Sequence, residues 1–193
     1  MPFGDRYGLT QLLAVGGMAE IYLGFQNLAL GMSKPVVIKR LKPALVGDVR
    51  ATQMFEDEAR LMALLSHGHV VHCHDVGEDG GVPFIVMEYI RGQELNQLAR
   101  RGLQVGHFLP RALAVELIRQ AALGLGYCHA LLDDAGGALE LVHCDLSPNN
   151  LLVIEDGAVK VIDFGIAQFA GQSLRGSRAV PGKLSYMSPE QAR

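Results

Sequence analysis

Between His143 and Gly165 the chain carries two acids and an amide at a spacing that could do chemistry. The run His143-Cys144-Asp145-Leu146-Ser147-Pro148-Asn149-Asn150 is followed by two apolar segments, Leu151 to Ile154 and Val159 to Ile162, and then by Asp163-Phe164-Gly165. The apolar segments flank Asp156-Gly157, a strong signal for a two-strand hairpin. A tight hairpin brings its ends together, so Asn150 and Asp163 can converge on one point and hold a hard cation through oxygen ligands, with Asp145 left as a base. As loop caps and turn formers the three would be explained singly, but not as a set around one hairpin.

A second pair of charges stands in apolar company. Val49 to Ser66 places Met54, Leu61 and Leu65 at spacings of seven and four, with no Gly or Pro until Gly68, which predicts a helix. Glu58 lies four residues after Met54 and three before Leu61, on the face that points inward. An unpaired carboxylate is expensive to bury, so Glu58 needs a cation. Lys39, in the apolar strand Val36-Val37-Ile38-Lys39, is the candidate. Taken alone this pair is weak, because a glutamate at the edge of its stripe and a lysine ending a strand in water are the commoner arrangement.

These groups must be positioned by the elements around them. From Tyr7 to Pro43, short apolar runs alternate with glycine-bearing turns: Gly8 to Val15, Glu20 to Gln26 and Pro35 to Leu41 read as strands. After the helix, Val70 to Val76 and Val82 to Tyr89 read as a hairpin joined by Glu78-Asp79-Gly80-Gly81. Past Gly92 the pattern is helical, first from Glu94 to Arg101 and then from Pro110 to Leu131, where Leu113, Leu117, Ala121 and Leu125 form an apolar stripe and Pro110 suits the start. Asp133 to Glu140 reads as a polar loop, and Phe169 to Gly182, rich in Ser, Arg and Gly, as a mobile surface segment.

Composition bounds the partners. The 193 residues carry 17 basic and 20 acidic side chains, a net charge of -3, and are 49% hydrophobic, which predicts a folded domain with no electrostatic footprint for nucleic acid or anionic lipid. Three widely spaced cysteines, Cys73, Cys128 and Cys144, do not form a disulfide framework and point to reduced thiols in the cytoplasm. The start lacks the pattern of a secretory signal and no stretch is apolar enough to span a membrane. The oligomeric state cannot be read.

The ordered motifs resemble those of the bacterial, eukaryotic-like Ser/Thr protein kinases over nearly the whole chain. Ala14-Val15-Gly16-Gly17-Met18-Ala19-Glu20-Ile21 is similar to the glycine-rich loop, Val36 to Lys39 to the strand lysine motif, and Glu58 to the helix glutamate. Met87-Glu88-Tyr89-Ile90 resembles the gatekeeper and hinge, His143 to Asn150 the catalytic loop, Asp163 to Gly165 the metal motif, and Ser188-Pro189-Glu190 the end of the activation segment. The resemblance implies an α+β, two-lobed protein-kinase-like fold: a β-rich N-lobe with one key helix and the hinge over 1–90, and an incomplete, mainly helical C-lobe over 91–193. It implies ATP and Mg2+ as cofactors and a protein Ser or Thr hydroxyl as acceptor. Lys39, oriented by Glu58, would hold the α and β phosphates. Asn150 and Asp163 would bind the metal, and Asp145 would orient the hydroxyl and take its proton. The nucleotide would lie on Leu13, the loop from Ala14 to Ile21, Val37, Met87 and Leu152, with backbone groups of Glu88 and Ile90 reading adenine.

Some residues depart from the family's pattern. Ala14 and Ala19 stand where two glycines usually do, and alanine resists a positive φ, which puts nucleotide affinity in doubt. Cys144 replaces an arginine, so phosphorylation of Ser173 or Ser177 is not expected to act as a strong switch, with Arg175 and Arg178 offering only exposed pairing. Ser147 replaces a lysine and Lys183 a threonine. The family continues with a helical subdomain past Arg193, and Glu190 would pair with an arginine there; the expectation is a fragment or truncated product with little peptide kinase activity. Two rival functions are a non-catalytic nucleotide-binding scaffold, favoured by these departures, and a small-molecule phosphotransferase, opposed by the hinge and the Ser-Pro-Glu segment. His67, His69, His72, His74 and Cys73 could bind zinc, but a turn followed by a strand with alternating faces is the preferred reading.

Overall fold

The structure is a computed structural model that describes residues 2–3, 6–133, 135–164 and 184–189. Gly165, the segment from Phe169 to Gly182 with its Ser173, Arg175, Ser177 and Arg178, and also Lys183 and Glu190 lie outside the described residues. The chain divides into two compact units, one formed by Met1–Ser66 with His72–Tyr89 and the other by His67–Val71 with Ile90–Arg193.

The first unit is a six-stranded antiparallel sheet with one helix. Its strands are β1 (Pro2–Phe3), β2 (Tyr7–Val15), β3 (Ala19–Asn27), β4 (Ser33–Leu41), β5 (Cys73–Asp79) and β6 (Val82–Glu88), in the spatial order β1-β2-β3-β4-β6-β5. Side chains alternate across a strand, and each face of this sheet has its own core. Phe3, Tyr7, Val36, Ile38, Phe84 and Val86 pack on one face. Ala19, Leu41 and Ile85 pack on the other, together with Phe55 from the helix α1 (Val49–Leu64). The β5–β6 hairpin closes at Gly80 and Gly81, with φ of 56° and 82°, the left-handed pair that a two-residue hairpin turn demands.

Asp48 starts α1 by accepting hydrogen bonds from the Arg50 and Ala51 amides at 2.9 and 3.1 Å, a side-chain cap for donors that have no helical partner. The inward stripe differs from the predicted one: it is Phe55, Glu58, Leu61 and Met62, while Met54 is 44% exposed. Phe55 takes the sector that meets the sheet, and Met54, one helical step of about 100° away, is turned out. Glu58 remains inward because it lies three residues from Phe55.

The second unit contains β7 (Gly92–Glu94), α2 (Leu95–Gln104), α3 (Arg111–His129), β8 (Leu151–Ile154) and β9 (Val159–Val161), with the three strands in the order β7-β8-β9. The predicted hairpin is present as β8 and β9 and turns at Gly157, whose φ is 87°. In α3 the buried stripe is Leu117, Ala121, Gly124 and Cys128, and Leu113 is 44% exposed, contrary to expectation. The stripe runs through a glycine because backbone packs there: a Cβ on Gly124 would sit 2.8 Å from the His69 carbonyl oxygen. That carbonyl belongs to His67–Val71, which is joined to β9 by Val71 N–H to Val161 O and Val161 N–H to His69 O, both 2.9 Å. The predicted strand from Val70 thus begins only at Cys73, since the backbone before it is engaged by another element. No helix among the described residues is long and apolar enough to cross a membrane.

Candidate active site

In the first unit, Lys39 on β4 and Glu58 on α1 form the anticipated ion pair between Lys39 Nζ and Glu58 Oε1, with side chains only 9% and 4% exposed. Lys39 lies on the sheet face that α1 covers, and Glu58 meets it from the buried side of α1. Ile21 is the cross-strand neighbour of Lys39 and Met87 that of Val37, so these predicted nucleotide residues share that face. Leu13, Ala14 and Val15 end β2, and Ala14 and Val15 pair with Ile21 and Glu20 of β3. The connection through Gly16, Gly17 and Met18 is a tight one, closed by Gly16 N–H to Ala19 O at 2.8 Å. Met18 is anchored twice, by its carbonyl accepting from Lys42 N–H at 2.9 Å and by its packing against the core around Phe55.

The expected penalty at Ala14 and Ala19 does not arise from backbone conformation. Neither is among the positive-φ residues, and neither Gly16 nor Gly17 is either. Glu20 points its carboxylate to Arg40 Nε at 3.0 Å and receives the Tyr22 hydroxyl at 3.0 Å. Burial pushes the Glu20 carboxyl up, but these hydrogen bonds outweigh it and hold the group below its ordinary value. Its side chain is therefore committed on the face opposite Lys39. Glu88, at the end of β6, is tied to His72 twice: its N–H donates to His72 O at 3.0 Å and its Oε1 accepts from His72 N–H at 2.8 Å.

In the second unit the loop before β8 is organised by backbone-directed bonds. Asn150, buried, donates from Nδ2 to the Asp145 carbonyl at 2.8 Å and to Asp145 Oδ2 at 3.2 Å, so the amide oxygen is the end that Asp145 does not engage. His143 is 4% exposed. Its Nδ1 accepts from Asp145 N–H at 3.3 Å and its Nε2 donates to Ile162 O at 3.1 Å, which defines a neutral imidazole. Burial lowers its pKa, against the pull of the Ile162 carbonyl. The imidazole also faces the Phe164 ring at 4.7 Å. Thus one side chain joins the residue before Asp163 to the backbone of Asp145. Cys144 and Asp163 have φ of 63° and 64°, conformations that cost a non-glycine residue energy and concentrate at functional sites. Leu152 lies on β8 opposite Glu94 and Lys160, and Ile90 follows β6 as the first residue of this unit's main segment. Ser147 is buried, so this position is not a surface place for a charge.

Gln120 went unnoticed in the sequence. From α3 its Oε1 accepts from Val159 N–H at 2.9 Å and its Nε2 donates to Gly157 O at 3.3 Å, bracing the β8–β9 hairpin. The available signal was a polar side chain adjoining the stripe residue Ala121. The histidines have separate uses: His67 stacks on Tyr127 with centroids 5.0 Å apart, His69 Nδ1 bonds Val159 O at 2.9 Å, and His72 meets His74 edge to face. Among the described residues no three His, Cys, Asp or Glu side chains are grouped to hold a metal.

A β-rich unit with a buried Lys–Glu pair, and a second unit with an aspartate and an asparagine ahead of a hairpin that is followed by another aspartate, are the features of a protein kinase domain. Residues 7–193 match the family model for the protein kinase domain, and the chain belongs to that family. It is 41% identical over its full length to the tyrosine-protein kinase MasK of Myxococcus xanthus, covering 30% of that protein. It is 35% identical to the serine/threonine-protein kinase PknB of Mycolicibacterium smegmatis and to serine/threonine-protein kinase A of Synechocystis, covering 98% and 97% of this chain and 29% and 36% of theirs. The chain therefore spans about a third of the length of these relatives.

Proposed function

We propose that this domain binds ATP with Mg2+ and transfers the γ-phosphate to a serine or threonine hydroxyl of a protein, with its first lobe and hinge over 1–90 and its second over 91–193. The observation that carries the reading is the buried Lys39–Glu58 pair. A desolvated ion pair contributes little net stability, whereas a lysine held charged and oriented is what a polyphosphate requires. Lys39 would neutralise the α and β phosphates. Asn150 and Asp163 supply hard oxygen donors of the kind Mg2+ takes, and the orientation of the Asn150 amide, with its hydrogens on Asp145, fits that role. Bound Mg2+ offsets the charge of the phosphates.

Asp145 would hold the acceptor hydroxyl and accept its proton as the oxygen bonds to the γ-phosphorus and the bond to the β-phosphate oxygen breaks. Leu13, Ala14, Val15, Gly16, Gly17, Met18, Ala19 and Ile21 would cover the nucleotide with Val37, Met87 and Leu152. Glu20 would contribute through its backbone, its carboxylate being held by Arg40 and Tyr22. Glu88 and Ile90 would read adenine. We place the protein in the cytoplasm, where ATP is plentiful and Cys73, Cys128 and Cys144, none of them in a disulfide, stay reduced.

Incubation with γ-labelled ATP, Mg2+ and a mixed protein substrate, followed by phosphoamino-acid analysis, tests the reading. Labelled phosphoserine or phosphothreonine that disappears in Asp145→Asn is the expected result. Phosphotyrosine alone would favour a second reading, a tyrosine acceptor, suggested by the name of the Myxococcus xanthus relative. ATP binding with no transfer to any acceptor would identify a nucleotide-binding scaffold.

A further inference from the structure

Glu94 ends β7 and immediately precedes α2. Its backbone pairs with Leu152 on β8, and its Oε2 accepts a hydrogen bond from Asn149 Nδ2 at 2.7 Å across 55 positions of sequence. Two residues on, Asn96 N–H donates to Pro148 O at 3.1 Å. The loop from Asp145 to Asn150 is thereby held twice. Asn150 ties its end back to Asp145 from within, and Glu94 and Asn96 hold Pro148 and Asn149 from outside. A carboxylate is a stronger acceptor for an amide hydrogen than a neutral group, and Glu94 and Asn149 are both partly buried, where water competes less.

We propose that Glu94, acting through Asn149, is a positioning residue that sets the orientation of Asn150. This rests on the reading of Asn150 as a metal ligand. Asn149 and Asn150 share a planar peptide group, so a rotation at Asn149 is passed directly to the neighbouring side chain. Misplacing a ligand by about 1 Å can cost on the order of a hundredfold. Glu94 bonds Asn149 and not Asn150 itself, and its expected effect falls on the metal-dependent part of nucleotide binding.

The experiment measures ADP affinity of the full 193-residue chain with and without Mg2+, and takes the ratio as its readout. Glu94→Ala and Asn149→Ala are each expected to reduce that ratio about tenfold, with the double variant no worse than either single one, as residues acting through one bond must behave. Asn149→Asp sets two carboxylates against each other and is expected to be the worst. Combining it with Glu94→Gln re-forms the bond with donor and acceptor exchanged and is expected to recover the ratio. Glu94→Gln alone keeps an acceptor oxygen and serves if a harsher variant fails to fold; its expected loss is about threefold. Additive losses, a swapped pair as poor as Asn149→Asp alone, or an unchanged ratio in Glu94→Gln and Glu94→Ala would overturn the proposal. If the parent chain shows no Mg2+-dependent ADP binding, the assignment of Asn150 itself fails and the proposal falls with it.

Discussion

In the first unit, Lys39 and Glu58 meet as full charges, buried, and bring a strand to a helix across 19 positions of sequence. In the second, Asp145 and Asn150 are five positions apart, and the groups around them are an amide, two carbonyls and a neutral imidazole. The two arrangements fail differently when cut. A buried charge that loses its partner costs several kcal/mol, whereas a buried neutral amide that loses its hydrogen bonds costs about 1–3 kcal/mol. The first site therefore depends on one charged pair between a strand and a helix, and the second on several neutral bonds within the loop together with the outside hold of Glu94 and Asn96.

The largest expected effect is at the charged pair. Glu58→Ala takes the paired carboxylate away from the buried Lys39 and should cost about 3–5 kcal/mol in urea unfolding. Replacing both residues, Lys39→Met with Glu58→Leu, should recover most of that loss while nucleotide binding stays abolished. A double variant as unstable as Glu58→Ala would show that the pair is structural and would erase the contrast with the loop. Next comes Asn150→Ala, which removes two hydrogen bonds to Asp145 and should cost about 1–2 kcal/mol. Calorimetric titration should then find no Mg2+ dependence of ADP binding.

His143 sharpens the comparison through pH. Its folded pKa lies below the ordinary value because it is buried. The unfolded chain therefore takes up the proton first, near about pH 6.5. The stability it confers is complete above that pH and is lost as pH falls toward the lowered folded value. Chemical unfolding from pH 7.5 to 5 should show a shallower decline in His143→Asn than in the parent, a comparison that removes the similar contribution of His67. Equal slopes would mean that the imidazole is not held neutral. The smallest effect belongs to Arg119→Ala. Hydrogen bonds from Arg119 and Gln120 hold the Glu116 carboxyl down to about 2, yet Arg119 and Glu116 are 57% and 44% exposed, and solvent screening leaves such pairs little worth. The denaturation midpoint should not move measurably.

Reading the sequence recovered β2, β3, β4 and β6, β5 with a start three residues too early, the helix and the β8–β9 hairpin, because turn glycines and apolar periodicity are local properties, while the two-residue β1 is too short to show a pattern. Glu58 was also legible, through the oddity of a carboxylate on an apolar face. The helix faces were less so. Met54 and Leu113 fit the spacing of an inward stripe and yet are exposed, since periodicity gives a direction only to within a residue and the packed neighbour selects the rest. Gly124 is on the buried stripe of α3 only because the His69 carbonyl approaches it, and no pattern in α3 alone announces that carbonyl.

What the amino-acid order determined by itself is the set of elements and the types of group that could bind phosphate and metal. Those follow from residue chemistry and from contacts a few positions apart. Tertiary structure decided which of these groups are used and how. It gave the Glu20 carboxylate to Arg40 and Tyr22 instead of the face that carries Lys39. It held His143 neutral between Asp145 and Ile162, assigned Gln120 to the hairpin, and joined Glu94 to Asn149 across 55 positions. Each outcome depends on burial and on partners distant in sequence, and a polar group's protonation and orientation are set by whatever surrounds it once water has been excluded.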